Sequence, residues 1–573
     1  MAIRAVGHGE ELRSLEQHPA PVLSLLRVPA MILAVASLLM FFGMSINPAV
    51  YDEGITVTGA MRLLAGQIPH RDFYAIYGPA HFYLLAGCFK LFGESLFTER
   101  LLFAFISGLI VAVVFLIASF YCNRSITIVT TLTVALWLFG FGSVSGAAMY
   151  TVSLLNLAGT VILLPAFLGR ISIQRALAAG ALAGLSTLFR YDTGIGMLGI
   201  QACILAFAAF LRADNLSRSL RLFIVGVWPI LAGFAVLTVP PALYYLSVAP
   251  FHYFYFDIIY FPSKFYARGR RFPFPGITLR TLDNLAVYLP IAIAAIALYR
   301  GVLGCLHLRN KSTSTLANTS DNMRVNAFLV GFGFLALIMY LKGIVRVSPA
   351  QMYLAILPSL LLIAVLFQHR DSFHPALATC VKILMLLEIL TPARISVRQV
   401  MNFHRHHQFV VPEMLAVARG RLDPVEMSWC HSVNPLTRGI CFLPSDDRIQ
   451  AIEFIDSHTT PNQTLFVGNT RHDKILVNDN ILYFATQRLP ATHWSHFDPL
   501  LQNRYDIQTQ MVHEFDSNQP PYIILESEFD SIQEPNESVK SSGVTLLDDY
   551  LHSKYRRVET FGQLSIWQRI PTS

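Results

Sequence analysis

The chain has 573 residues, of which 54% are hydrophobic and only 14% are charged, and its mean hydropathy is +0.49. A soluble domain usually carries about 25% charged residues, so this composition excludes one large soluble core. The formal net charge of +7 reflects 43 basic and 36 acidic residues, and its meaning depends on where the basic residues fall.

About eleven apolar stretches are long enough to predict membrane-spanning helices, each of which needs about 20 mostly apolar residues. They cover residues 28–46, 97–121, 126–141, 150–168, 176–188, 194–211, 222–246, 285–303, 325–341, 350–367 and 375–390. We expect the first to be a retained anchor rather than a cleaved signal peptide, because its apolar run is too long and Glu10, Glu11 and Glu16 precede it. The predicted organisation is a cytoplasmic segment, 1–27, a helical transmembrane domain, 28–391, and a tail domain, 392–573.

Basic residues in alternate loops predict the orientation, because Lys and Arg concentrate in short loops on the cytoplasmic side. With the N-terminus inside, every inner loop is basic. The basic residues of these loops are Arg124, Arg170, Arg175, Arg212, Arg218, Arg221, Arg309, Lys311, Arg324 and Arg370. An odd number of spans then places the tail domain outside.

Several outer loops are also basic, which is unusual on that side. Arg190 stands in a short turn, Lys264, Arg268, Arg270 and Arg271 follow the seventh span, and Lys342 and Arg346 precede the tenth. One interpretation is that these side chains reach outer lipid headgroups, as amphipathic interfaces allow. The other is that they bind a phosphate, which Arg matches with its fork and Lys with a point charge. We select Arg190, Lys264, Arg268, Lys342 and Arg346 as candidates for the second role.

The first outer loop, 47–96, contains the pair Asp52 and Glu53 just after the first span. Adjacent carboxylates at a membrane surface are poor packing material but suit a general base or a cation site. The loop predicts a short interfacial helix over 55–65, stopped by Gly66 and Pro69, and a second helix over 81–92. Neither is expected to cross the membrane.

Four pieces of this loop carry a resemblance: Asp-Glu at 52–53, Leu-Leu-Ala-Gly-Gln-Ile-Pro-His-Arg-Asp-Phe at 63–73, Tyr-Gly-Pro at 77–79 and Phe-Lys-Leu-Phe-Gly-Glu-Ser-Leu at 89–96. Over about residues 28–125 the chain resembles bacterial GT-C glycosyltransferases of the protein O-mannosyltransferase-like and aminoarabinose-transferase-like branch. The resemblance implies a polyprenyl-phosphate sugar donor and a bacterial inner-membrane location with chemistry on the outer face. It also implies that Asp52 is the catalytic acidic residue, with Glu53 as its neighbour in the motif.

Sugar transfer from a lipid phosphate requires a base for the acceptor and cations for the leaving phosphate. Asp52 meets the first need, and the five selected cations meet the second. Arg71, Asp72, Tyr77 and Asp192 are further candidates beside them. The aromatic stretch 251–265 is equally consistent with a groove for the isoprenoid chain and with an interfacial aromatic belt.

We expect no cofactor, and a divalent metal is the alternative that is not favoured. Oligosaccharyltransferases of the same superfamily hold a divalent ion with acidic loop residues, whereas the mannosyltransferase-like branch generally works without one. A hard cation needs several oxygen ligands. The acidic candidates are scattered along the chain; they are Asp52, Glu53, Asp72, Asp192 and Asp257. The spacing of His404, His406 and His407 fits no standard zinc site.

The tail alternates short apolar strands, 464–467, 522–525 and 564–567, with helix-like stretches, 446–456 and 505–515, which predicts a small α/β domain. Arg471, His472 and Asp473 follow the first strand. A solvated loop is the favoured interpretation there, and a ligand contact is the alternative. Cys430 and Cys441 could pair in an oxidising compartment. Lys382 and Glu388, inside the last span, suggest a mutual pair or a contact with a neighbouring helix.

These features predict a membrane glycosyltransferase acting on a lipid, glycan or protein acceptor, without nucleic acid. A lipid-linked-sugar flippase or transporter is the alternative. Transporters usually place ionisable residues near the midplane of their spans, whereas here they concentrate in outer loops. A receptor or assembly protein that merely anchors the tail would not need so many spans.

Overall fold

The computed structural model describes residues 22–141, 148–169, 171–310 and 316–571. Arg170, Lys311 and most of the predicted cytoplasmic segment, including Glu10, Glu11 and Glu16, lie outside these ranges. The helices up to residue 405 are α1 Val22–Phe42, α2 Asp52–Leu64, α3 Pro79–Phe92, α4 Leu96–Tyr121, α5 Arg124–Phe141, α6 Met149–Leu163, α7 Ile173–Phe189, α8 Tyr191–Arg212, α9 Leu216–Val248, α10 Phe251–Tyr255, α11 Ala267–Arg270, α12 Leu285–Asn310, α13 Leu316–Gly343, α14 Tyr353–Gln368 and α15 Pro375–Arg405.

Each predicted span corresponds to one of these helices. By length and composition, seven of the helical segments in the described ranges can cross a membrane: α4, α6 with its 3-10 extension Leu164–Leu168, α8, α9, α12, α13 and α15. The helices α1, α5, α7 and α14 contribute shorter apolar segments, which are Arg27–Phe42, Arg124–Gly140, Ile173–Phe189 and Leu354–Gln368. The predicted polytopic helical architecture is confirmed.

The helices differ in how deeply they are packed. In α4 and α13, 61% of the most apolar window is buried, against 17% in α9, so α9 forms the periphery of the bundle. It packs on α7 through glycine: a Cβ at Gly180 would stand 2.0 Å from the Ile230 carbonyl oxygen. Small residues permit such close backbone approach between membrane helices.

The tail contains α16 Val410–Ala418, α17 Pro424–His431, α18 Asp446–His458, α19 Ile481–Thr486, α20 Tyr505–Asn518 and α21 Leu546–Lys554, with strands β1 Phe466–Asn469, β2 Tyr522–Glu526, β3 Tyr555–Phe561 and β4 Leu564–Arg569. The sheet order is β1-β2-β4-β3, with β1 and β2 parallel and the other pairs antiparallel. The predicted α/β character is confirmed. The sequence did not predict β3, because most of its side chains are polar and exposed.

The helix α15 continues through the predicted boundary at residue 391 and ends at Arg405. Its 31 residues span roughly 46 Å at 1.5 Å per residue, more than the ~30 Å hydrocarbon layer. Within it, Lys382 is exposed and Glu388 is buried and accepts a hydrogen bond from Ser359 of α14. The suggestion of a mutual pair is therefore wrong, because the two side chains lie on different faces, and the neighbouring-helix contact is correct.

The loop helix α2 is more enclosed than expected. Its residues from Glu53 to Arg62 are buried, covered by α3 and by α19 of the tail. At Gly54 a Cβ would stand 2.6 Å from the Ile481 backbone nitrogen. Burial on all sides means that this helix has no single apolar face. Its predicted position at the membrane interface stays a prediction.

Candidate active site

Six separate chain segments meet around one cavity of about 470 Å³. They are the loop containing Asp52, the start of α6, the turn between α7 and α8, the segment before and within α11, the end of α13 with the residues after it, and a tail segment at 496–498. These are the loops after the first, fifth, seventh and ninth spans, the start of the fourth span and the region after the eleventh. Their convergence shows that alternate loops lie at the same end of the helix bundle. That this end is on the outer side of the membrane remains a prediction.

Asp52 is the first residue of α2, and its exposed carboxylate lines the cavity. The hydroxyl of Tyr77 donates to Asp52 Oδ1 over 3.3 Å. Burial, and then the negative charge of Asp52, raise the pKa of Tyr77 well above its usual range, so the phenol stays a donor. The other carboxylate oxygen of Asp52 has no hydrogen bond to any residue in the described ranges, which leaves it open to accept a proton.

Glu53 occupies a different environment from its neighbour. Its carboxylate is fully buried, pairs with Arg100 and accepts a hydrogen bond of 2.7 Å from the Ala49 backbone N–H. It does not line the cavity. Glu53 therefore holds the loop that precedes Asp52, and the geometry supports a positioning role rather than contact with a substrate.

Three of the five predicted phosphate-binding residues line the cavity: Arg190, Lys342 and Arg346. Arg190 donates to Asp192 over 2.9 and 3.1 Å, which places this candidate carboxylate in the cavity too. Arg346 pairs with Glu534 of the tail and lies 4.8 Å from the Phe272 ring. The Lys342 ammonium has no hydrogen bond or ion pair within the described part of the chain. It is therefore the cation with the fewest competing partners.

The other two predicted phosphate-binding residues, Lys264 and Arg268, do not line this cavity. Both are exposed, and Arg268 pairs with Glu537 over 2.8 Å. The segment 256–270 is helical, with wide π-type turns over Phe256–Tyr260 and Pro262–Tyr266, and it presents Tyr266 and Arg270 to the cavity. Residues two positions away on a helix face elsewhere, so Arg270 replaces the two predicted cations.

Arg71 and Asp72 are also outside the cavity. They pair with each other over 2.7 Å, and Asp72 Oδ2 accepts a hydrogen bond of 2.7 Å from the Ile68 N–H. Their role in this structure is to close the turn after α2.

The tail contributes two residues that the sequence did not single out, His496 and Asp498. Arg270 donates to Asp498 over 2.7 Å, and the Tyr51 hydroxyl lies 3.0 Å from Asp498 and 2.9 Å from His496 Nε2. Although burial opposes the charge, Tyr51 and Asp498 hold the pKa of Arg270 well above its usual range. Burial lowers the pKa of His496, which favours the neutral imidazole. The only available signal was the clustering of aromatic and His residues at 493–497.

The aromatic stretch 251–265 is mainly a packing surface against the tail. Tyr253 stacks on His493 at 4.5 Å, Phe256 meets Trp494 edge-on at 5.6 Å, and Phe261 is fully buried. From the stretch 251–265, Asp257, Ile258 and Pro262 line the cavity. The aromatic residues of this stretch do not line the cavity, and both the groove and the aromatic belt stay predictions.

A second cavity of about 860 Å³ lies on the other side of the segment 47–52. Pro48 and Val50 line this cavity, whereas Tyr51 and Asp52 line the first. The basic residues around the second cavity are His406, His407, Arg419, Arg421 and Arg448.

The remaining candidates lie elsewhere. Arg471 pairs with Asp473, and the buried His472 contacts Asp548, without lining either cavity. Within the described ranges, no three His, Cys, Asp or Glu side chains are grouped as a metal site. Metal-independent chemistry stays a prediction. Cys430 and Cys441 form the suggested disulfide.

Comparison with solved protein structures identifies the type of fold. The chain is similar to the archaeal oligosaccharyltransferase AglB from Archaeoglobus fulgidus in complex with an inhibitory peptide and a dolichol-phosphate, with a TM-score of 0.51 and 11% identity over 95% of this chain and 75% of that chain. The fold is of the GT-C type. The resemblance predicted from the first loop is thus confirmed at the level of fold.

Another similar structure is ArnT from Cupriavidus metallidurans bound to undecaprenyl phosphate, with a TM-score of 0.49 and 15% identity over 95% of this chain and 98% of that chain. No family model matches the sequence, and no curated protein is similar to it.

Proposed function

We propose that this protein is a membrane glycosyltransferase that moves a sugar from a polyprenyl-phosphate donor to an acceptor on the outer face of a bacterial inner membrane. The main support for the proposal is that Asp52, Arg190 and Lys342 line one cavity at the ends of the spans. The cavity combines an open carboxylate with cations, as this chemistry requires. AglB, whose fold the chain shares, was captured with a dolichol-phosphate, which supports a lipid phosphate as the donor.

The proposed reaction uses the residues as follows. Asp52 takes the proton from an acceptor hydroxyl or amine, and the acceptor atom forms a bond to the anomeric carbon of the sugar. The bond between that carbon and the phosphate oxygen breaks, and its electron pair leaves with the polyprenyl phosphate. Lys342 and Arg190 neutralise the negative charge that develops on the leaving phosphate.

We propose that the second cavity, which is also lined by Glu413 and Glu426, binds the acceptor. It adjoins the first across the segment 47–52, and it is lined by Arg419 and Arg421, whose guanidinium groups have no hydrogen bond or ion pair to any other residue in the described ranges. Unpaired guanidinium groups favour a ligand that carries phosphate or carboxylate. We therefore propose an anionic acceptor, such as a phosphorylated or acidic glycan or lipid.

A transfer assay tests the proposed function. Purified protein in detergent is incubated with a panel of radiolabelled polyprenyl-phosphate sugars and a total membrane extract as the acceptor. Label that moves into a new product establishes the enzyme and names the donor. Folded protein that transfers label from none of the donors would contradict the proposal, and lipid translocation by a flippase would be tested next.

A further inference from the structure

Asp257 lines the Asp52 cavity and has one carboxylate oxygen without a partner among the described residues. The residue is 1% exposed and lines the cavity. Its Oδ2 contacts His70 Nδ1 at 2.8 Å and accepts a hydrogen bond of 3.3 Å from the Ala75 N–H. Its Oδ1 is buried and has no hydrogen bond to any described residue. A buried carboxylate oxygen left unpaired is unfavourable, so a donor from outside the protein chain is expected there.

His70 fixes the direction of this carboxylate. It is fully buried, its φ of 63° is in the left-handed region, and its ring packs edge-on against Tyr245 and Phe254 at 5.6 and 5.4 Å. A non-glycine residue is held in that backbone conformation only where its surroundings determine it. His70 belongs to the loop that the sequence singled out, yet it does not line the cavity. Its role is to orient other groups.

The hydrogen-bond directions are assigned from the Asp257 carboxylate outwards. An ionised carboxylate only accepts, so His70 Nδ1 is assigned as the donor to Asp257. His70 Nε2 is then assigned as the acceptor from the Tyr191 hydroxyl at 3.2 Å. Tyr191 also lines the cavity. With its proton directed at His70, the Tyr191 oxygen offers lone pairs to a ligand.

We propose that Asp257 and Tyr191, oriented by His70, form a subsite for the sugar headgroup of the donor. Two acceptor residues that line the same cavity are suited to a ligand that presents hydrogen-bond donors, which on a sugar are hydroxyl or ammonium groups. The lipid phosphate of the same donor would be bound by Lys342 and Arg190, which line the same cavity. This inference rests on the proposed function and assigns the sugar-reading part of that site.

The test compares the binding of lipids with and without a sugar. The probes are polyprenyl phosphate alone and polyprenyl phosphate that carries a neutral hexose, a neutral pentose or an amino-pentose. We expect wild type to bind at least one glycosylated probe more tightly than the sugar-free lipid. Asp257→Asn should raise the Kd for the glycosylated probe about tenfold, and Tyr191→Phe should raise it about threefold. Neither variant should change the Kd for the sugar-free lipid. Asp214→Asn, on an exposed loop, is the matched control.

The outcomes separate the subsite from the proposed function. Equal weakening of sugar-free and glycosylated lipids by Asp257→Asn would overturn the subsite, as would unchanged binding of every probe. The subsite is also overturned if wild type binds the sugar-free lipid as tightly as all glycosylated ones. Failure of wild type to bind any lipid phosphate would instead overturn the proposed donor class. A larger loss for the amino-pentose than for the neutral sugars supports the subsite and identifies an ammonium as its ligand. Thermal unfolding confirms that each variant is folded.

Discussion

Arg100 Nη2 donates a hydrogen bond of 2.9 Å to Glu53 Oε2 immediately behind Asp52. The same guanidinium donates to the carbonyl oxygens of Ser45 and Asn47 over 3.2 Å each. Together with the Ala49 N–H bond to Glu53, these contacts tie the loop after α1 to α4. They explain how an exposed carboxylate at a loop end can be held at a fixed place in the cavity.

Removing the charge of Glu53 should destabilise the protein. Breaking a buried pair costs about 3–5 kcal/mol, and the loss in Glu53→Gln should be smaller because Glu99 remains 3.6 Å from Arg100. Arg100→Met should cost more than Glu53→Gln, because it leaves Glu53 without its cation and also removes the hydrogen bonds to the carbonyl oxygens of Ser45 and Asn47. Both variants are compared with wild type by thermal unfolding in detergent. Arg100→Met as stable as Glu53→Gln would show that the pair does not act in this way.

Lys342→Met should weaken donor binding. A charge-assisted hydrogen bond contributes about 1.5–3 kcal/mol, so the Kd for a polyprenyl phosphate should rise about tenfold or more. Lys264→Met is the matched control, because Lys264 is exposed and does not line the cavity. Binding is measured with a fluorescent polyprenyl phosphate in detergent. Equal losses in the two variants would indicate a general effect of surface charge rather than a phosphate site.

The sequence predicted the helices better than the site. Apolar length defines a span in lipid, so the boundaries of α4 and α8 lie within three residues of their predicted positions. The carboxylate Asp52 was predictable because it stands at the end of a span. It was not predictable that Arg270 lines the cavity in place of Lys264 and Arg268, because the π-type turns change which residues face the cavity. His496 and Asp498 reach the site only through the packing of the tail, which no local pattern encodes.

Glu514 predicts a specific pH effect on stability. Burial raises its pKa from 4.5 to about 7, although the His493 N–H donates to it over 3.0 Å. Between pH 4.5 and about 7 the native state binds more protons than the unfolded chain. This group therefore makes the free energy of unfolding fall as pH rises through that range. The loss is complete above about pH 7. Glu514→Gln should remove this contribution.

The measurement is the difference in thermal stability between wild type and Glu514→Gln as a function of pH. The difference between the two proteins is needed because burial lowers the pKa of the neighbouring His493. That shift makes stability rise with pH in both proteins, which opposes the effect of Glu514. Relative to wild type, the variant should gain stability as pH rises between the two pKa values of Glu514. A difference that is constant with pH would refute the burial of an ionisable carboxyl there.

The acceptor cavity is tested with Arg419→Gln combined with Arg421→Gln. If an anionic acceptor binds there, the variant should raise the KM for the acceptor about tenfold or more and leave the Kd for the donor unchanged. Arg438→Gln, a tail residue that does not line the cavity, is the control. A fall in kcat at unchanged acceptor KM would contradict the assignment of this cavity to acceptor binding.

The central claim is that Asp52 is the base in sugar transfer, and the most direct measurement is transfer by Asp52→Asn beside wild type. The substitution keeps the size of the side chain but removes its ability to take a proton. We predict that the variant expresses, folds and binds the labelled donor as wild type does, while product formation is abolished. Transfer at a near-normal rate by Asp52→Asn would contradict the account.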